Sequence, residues 1–257
     1  MHLKIFVDDE HKQIDIKMSS AWLENGYVSA KEEASMTKLQ DRNIVAREKK
    51  CKRCRKAFWT VDHAATNCGA LLHTAYKIRH DAIARYVHQK LANQYGLTSC
   101  KTTKGYRVET VLTNERAKIK FDGIIRTTVT CEFNRPDIVL YDKRAKKIWI
   151  VEIRVSSRPI LAKTELEKRA KYELLAGDLR GQNPDMEVEI VPVVIGWEGS
   201  VTRHILKHLK KIWINKKDLA NLQVIAMKRT MDIINADIFD TAEEQQELQQ
   251  EERDQRE

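Results

Sequence analysis

Two apolar runs joined by a tight basic turn constrain this chain more than any other stretch: DIVLYD at 137 to 142, KRAKK at the turn, and KIWIVEIRV at 147 to 155. Short runs rich in Val, Ile and Trp on either side of a polar turn form an antiparallel hairpin. Pairing them places Asp137, which opens the first strand, and Glu152, inside the second, at one end of a sheet. The segments Arg135-Pro136-Asp137 and Val151-Glu152-Ile153-Arg154 therefore supply an acid after a proline, a fourteen-residue spacer and a second acid within an apolar strand.

Two carboxylates converging at such a point bind magnesium or manganese through oxygen, and the metal then activates water and stabilises a leaving phosphate oxygen. Ile148, Ile150 and Ile153 imply that Glu152 is buried, and a buried carboxylate without a partner is costly. A plainer reading pairs Glu152 with Arg154 or a lysine and makes Asp137 a turn residue. Metal chemistry calls for a third group, a lysine that orients water or screens the phosphate. Arg154 stands two residues after Glu152, and a guanidinium that stays protonated is a poor base. A helix expected over Thr164 to Arg180 aligns Lys168, Tyr172, Leu175 and Leu179 in one stripe, so that Lys168, with the Tyr172 hydroxyl a turn away, can reach the carboxylates. The alternative is a stem that covers apolar surface while the ammonium reaches water. Lys163 and Lys171 point elsewhere by helical angle and serve only if the helix is rotated.

Cys51, Cys54, His63 and Cys68 form C-x2-C-x8-H-x4-C. Three thiolates and an imidazole in a segment too short for its own core suit a closed tetrahedral zinc site, whose binding energy would supply most of the folding energy. The alternative makes the cysteines small buried hydrophobes. His73 and Cys100 are substitute ligands, and Cys131, within a β-like run, is expected in the core. Lys50, Lys52, Arg53 and Arg55 gather positive charge on the CxxC side, which favours phosphate contact there.

The remaining periodicities predict helix over 18 to 47, with Ser29 and Glu32 placed as a capping box, and helix from His73 to Gly96 on the stripe Tyr76, Ile83, Val87 and Leu91. His80 falls on that stripe and divides between core packing and a place beside phosphate; Arg79, off it, is the better nucleic-acid contact. Strands are expected at 106 to 112, 117 to 121, 127 to 133 and 188 to 196, and helices at 200 to 213 and 217 to 239. This order gives an α/β layer with a mixed sheet flanked by helices.

The sequence has 46 Lys+Arg against 37 Asp+Glu, a net +9. Residues 243 to 257 hold seven acids against Arg253 and Arg256, a local −5, which leaves +14 on the other 242 residues. A polyanionic partner accounts for the excess. The Glu/Gln-rich tail has only Leu248 to bury and is expected as a solvated helix or a disordered segment. No apolar run suits a bilayer and the start of the chain does not read as a secretory signal, so a soluble intracellular protein without a membrane partner is expected.

The stretch from Ser20 to about Ile214 resembles the C-terminal part of non-LTR (LINE-type) retrotransposon polyproteins, in which a CCHC zinc knuckle precedes a restriction-like endonuclease. The matching pieces are SSAWLENG and LQDRN, the CCHC residues, YKIRHDAIARYVHQKLANQYGL, RPDIVLYDKRAKKIWIVEI, EKRAKYELL and VEIVPVVIGWEGSV, in that order. The resemblance implies a PD-(D/E)XK restriction-endonuclease-like core that nicks one DNA strand to prime reverse transcription, in the nucleus, with DNA, element RNA and a reverse transcriptase supplied in trans as partners. It makes Asp137 and Glu152 the magnesium carboxylates and Lys168 the catalytic lysine, with Tyr172 beside it. Cys51, Cys54, His63 and Cys68 become zinc ligands that help hold nucleic acid, and Arg79 and His80, which with Asp81 match a basic motif at the start of the first core helix, become contacts to it; Lys52 and Arg53, on the basic CxxC side, and Arg135 are further expected contacts. The implied organisation is a helical extension (1–47), a CCHC knuckle (48–72), the endonuclease core (73–214), a C-terminal helix (215–240) and an acidic, disordered tail (241–257). Phe6-Val7-Asp8-Asp9 has the look of a polymerase metal motif and is read as coincidence. Two other functions stay open: a nucleic-acid-binding module that has lost cleavage, and a transposon-derived host protein that binds another protein through its last helix and acidic tail.

Overall fold

The computed structural model describes the backbone of residues 13–44 and 50–254, and side chains within those ranges up to residue 236. The Phe6–Asp9 motif lies outside the described residues.

The expected hairpin is the centre of the fold. Strands β1 (Val111–Thr113), β2 (Ala117–Phe121), β3 (Ile138–Asp142), β4 (Lys147–Ser156) and β5 (Glu187–Gly196) form one sheet in that spatial order, antiparallel up to β4 and parallel between β4 and β5. The turn closes because the Asp142 carboxylate accepts the N–H groups of Arg144 and Ala145 at 2.9 and 2.8 Å, with Lys146 in the left-handed region at φ 56°.

Alternation along β3, β4 and β5 builds two cores. Val139, Ile148, Ile150, Val188 and Ile190 face helices α5 (Leu161–Lys171) and α6 (Glu173–Gln182) through Tyr172, Leu175 and Leu179. Leu140, Trp149, Val151, Val191 and Val193 face the other way, in a larger core with α4 (Ala75–Gln94) and α8 (Lys216–Asp254). Around α8 pack the short helices α1 (Ile16–Ser19) and α2 (Ala21–Asn25) and the longer α3 (Ala30–Gln40), while α7 (Ile205–Lys211) lies on β5. Helix α4 ends as its sequence demands: Gly96 takes φ 66° and Leu97 N–H returns to Ala92 O at 2.8 Å. The Ser29–Glu32 capping box is present at α3.

Several expected boundaries move. Of the strand expected over 106 to 112, only its end pairs with the sheet; the Tyr106 hydroxyl instead meets His88 Nδ1 at 2.6 Å, and Arg85, Gln89 and Asn93 of α4 bind carbonyls of the preceding loop. The run 127 to 133 is not a strand, because Asp178 of α6 captures both the N–H and the hydroxyl of Thr128 and so draws the segment out of the sheet. The helix expected over 164 to 180 breaks at Tyr172, and that over 18 to 47 becomes α1, α2 and α3, with residues 45–47 outside the described residues. The helix expected over 200 to 213 shrinks to α7 because Val201 and Thr202 are held extended against Ile14 and Asp15. The backbone of α8 continues to Asp254, so its end does not fall near 240, where the acidic tail was expected to begin. Among the described residues no helix is long and apolar enough to cross a membrane.

Candidate functional site

At one end of the sheet three acids lie on neighbouring strands. Asp122 follows β2 and donates its N–H to Asp137 O at 2.8 Å; Asp137 precedes β3; and Glu152 lies across from Asp137 by continuation of the Ile138–Val151 register. Asp137 is held from two sides, its Oδ2 accepting Ile153 N–H at 2.6 Å and its Oδ1 lying 3.3 Å from His80 Nε2. His80 in turn approaches Asp81 through Nδ1 at 3.2 Å. Burial opposes a charge on His80, but Asp137 and Asp81 outweigh it and lift its pKa to about 9.

Glu152 is 4% exposed. Its Oε1 meets Lys168 Nζ at 2.6 Å and Lys171 Nζ at 3.5 Å, while its buried Oε2 has no hydrogen-bond partner. One contact thus gives Glu152 a lysine partner and places Lys168 beside it. Lys171, a fallback on helical angle, also arrives, because it is the last residue of α5 before the break at Tyr172. Arg154 does not pair with Glu152.

Tyr172 is fully buried and donates to Arg135 O at 3.3 Å, so it braces the segment that leads into Asp137. Burial, then the Glu152 and Asp137 charges, raise its pKa far above the usual phenol range, which makes it a donor rather than a base. Arg135 is exposed, is forked onto Asp122 at 2.9 and 3.0 Å, and lines with Asp137, His80 and Arg85 a cleft of about 490 Å³. Asp122 and Arg85 were not singled out from the sequence; the acid that ends AKIKFD, one residue past a strand paired with β3, was the available signal for the first.

Arg79 requires a correction. It is 2% exposed, donates to Thr230 Oγ1 at 2.9 Å and to Ala65 O at 2.7 Å, and stacks over Tyr76, so it ties the Cys/His segment to α8 instead of standing on the surface as the better nucleic-acid contact. His80, its neighbour, is the one at the acids.

The Cys/His residues come together as their spacing predicts. The ligand atoms of Cys51, Cys54, His63 and Cys68 all lie within 4.8 Å of one another, with Cys51 Sγ 3.8 Å from Cys68 Sγ and Cys54 Sγ 3.4 Å from His63 Nε2. Two metal–sulfur bonds of about 2.3 Å at the tetrahedral angle put sulfurs about 3.8 Å apart, so the group can hold a metal, and its donor set suits zinc. Arg55 turns left-handed at φ 55°, and the N–H groups of Ala57 and Lys56 aim at Cys54 Sγ, holding its pKa down at about 6. Burial pushes Cys68 up to about 11, so metal binding must drive that proton off. The Tyr76 hydroxyl clamps the other half, reaching His63 O at 3.0 Å and Ala64 O at 2.8 Å and accepting Cys68 N–H at 3.1 Å. Cys100 and Cys131 stand apart from this group, and Cys131 is half-buried against the smaller core. Lys52 and Arg53 are exposed on the module, as is Phe58, whose backbone bridges to Lys50.

No protein-family model matches this chain, and no curated protein is detectably similar to it.

Proposed function

We propose that the chain is a metal-dependent DNA endonuclease of the PD-(D/E)XK kind, preceded by a zinc knuckle, as in non-LTR retrotransposon polyproteins, acting in the nucleus on DNA with element RNA and a reverse transcriptase supplied in trans. The observation that carries this reading is the meeting of Lys168 with Glu152, across from Asp137, around a buried Glu152 oxygen that has no protein partner. A buried anionic oxygen left without a hydrogen bond is costly, and a cation is the natural partner for it.

Magnesium or manganese held by Asp137 and Glu152 would polarise the scissile phosphate and acidify water. The protein's own part is orientation: Ile153 N–H and His80 fix the two oxygens of Asp137, and Lys168 supplies an ammonium at the point of attack. Tyr172 keeps its proton and steadies the backbone before Asp137.

Purified protein should nick supercoiled plasmid with magnesium, and Asp137→Asn should abolish nicking with the fold intact. Unchanged nicking by that variant would sink the proposal. The second reading, a nucleic-acid-binding module without cleavage, is favoured by one observation: each acid here already has a cation, Asp122 with Arg135, Asp137 with His80, and Glu152 with Lys168 and Lys171. Salt-sensitive DNA binding with no cutting under any divalent metal would select it.

A further inference from the structure

A second cavity, about 300 Å³, shares Lys77 and His80 with the Asp137 cleft and opens at the seam between the Cys/His segment, the first turns of α4 and the end of β4. Its lining includes His73, Lys77, Arg79, His80 and Arg154 and contains no carboxylate. Arg154 is exposed and makes no hydrogen bond or ion pair among the described residues. Arg79 lines the same space with a buried Nε that has no partner.

Two guanidiniums this close repel, and the Arg154 charge adds to burial in lowering the Arg79 pKa to about 10. Helix α4 contributes a third positive element. Its cap residue Thr74 makes no side-chain cap bond, its first turn has no acid, and Tyr76 and Lys77 of that turn line the cavity. The free N–H groups of a helix start carry partial positive charge toward an anion. Lys77 and His80 have Asp81 and Asp137 as counter-charges, but the two arginines have no carboxylate partner among the described residues, and they define the ligand by complementarity: a tetrahedral oxyanion that an arginine fork can grip and helix N–H groups can meet.

We propose that this cavity is a phosphate subsite for the DNA strand, with Arg154 as its principal ligand. It rests on the nucleic-acid part of the function proposed above. His80, shared by both cavities, sets the bound phosphate next to Asp137 and Glu152, and the Cys/His segment gains a role as one wall of the subsite. The arginine at the position where a catalytic lysine was sought thus grips the strand.

The test measures binding of a fluorescein-labelled DNA duplex to the full chain across a salt series without magnesium. Wild type is compared with Arg154→Gln, Arg154→Lys and, for an equal loss of charge at the far end of the sheet, Lys146→Gln. Arg154→Gln should bind about tenfold more weakly and flatten the log affinity against log salt slope by about one. Arg154→Lys should keep the slope and recover part of the affinity. If Arg154→Gln matches Lys146→Gln in affinity and slope, the subsite is overturned. Inorganic phosphate is the second probe. Displacement of DNA from wild type only at concentrations far above that of the DNA supports the strand as source, whereas phosphate binding that Arg154→Gln abolishes with DNA affinity untouched overturns the strand assignment. A wild type that shows the Arg154 dependence and never nicks removes the endonuclease reading alone. One that nicks while Arg154→Gln binds and nicks equally well removes the subsite alone.

Discussion

Glu152 keeps a carboxylate where a hydrocarbon would cost less, since a buried ion pair rarely repays the desolvation of its members. Its two lysines divide the compensation, Lys168 at 2.6 Å and Lys171 at 3.5 Å. Lys168 and Lys171 keep 18% and 30% of their side chains exposed and can turn to water, so Glu152→Gln should cost about 1–3 kcal/mol by calorimetry and, under the proposed endonuclease function, should abolish plasmid nicking. A collapse of the fold in that variant would mark the pair as structural cement instead. Arg79 and His80 make the complementary point about single residues. By sequence His80 falls on the stripe of α4 and Arg79 off it, yet position 79 stands three residues after Tyr76 and four before Ile83 and is as well placed for burial as position 80. The decision is made by partners remote in sequence, Thr230 and Ala65 for Arg79, Asp137 for His80.

Among the elements, α4 carries the most consequence, since it presents His80 to the acids and buries His88 eight residues further on. His88 is fully buried with Tyr106 on its Nδ1, and burial lowers its pKa to about 4. An unfolded histidine titrates near 6.5, so this contribution is complete above about pH 6.5 and is lost as pH falls through 4, at a cost on the order of 3 kcal/mol. His88→Phe should flatten stability between those pH values in urea titrations, and an unchanged acid limb would refute the assignment. At this scale the sequence was most legible where local rules suffice. The β3–β4 hairpin, β5, the capping box at α3 and the Gly96 stop of α4 all follow from alternation, caps and a glycine. The runs 106 to 112 and 127 to 133 were misread because β propensity says nothing of the carboxylate or histidine that captures a segment first. Of the site, the Cys/His group and the Glu152–Lys168 contact could be read from spacing, whereas Asp122 and Lys171 depended on strand register and a helix break that spacing does not encode.

Over the whole molecule the Cys/His segment is continuous with the larger body: Cys51, Cys68 and Leu71 pack against Ile233 of α8, and Arg79 spans the same seam. Chelation should release about one zinc per chain, expose the module's thiols to a thiol reagent and lower Tm by roughly 5 °C, with Cys54→Ser in the same direction and Cys131→Ser near wild type. Metal analysis that finds no zinc in the native protein would remove that site. Helix α8 also closes the opposite flank, where Gln223 donates to Met18 O at 2.8 Å and to Gly199 O at 2.7 Å, above the buried Trp22, Met36 and Leu39. That arrangement orders events in time. A ribosome delivers the N-terminal helices and Cys51 to Cys68 roughly 150 to 200 residues before the helix that covers them, so a nascent chain carries open apolar faces until residues 216 to 236 emerge. A message cut short before Lys216 would then yield material for chaperones and proteases, and the cell would see either a finished protein or none.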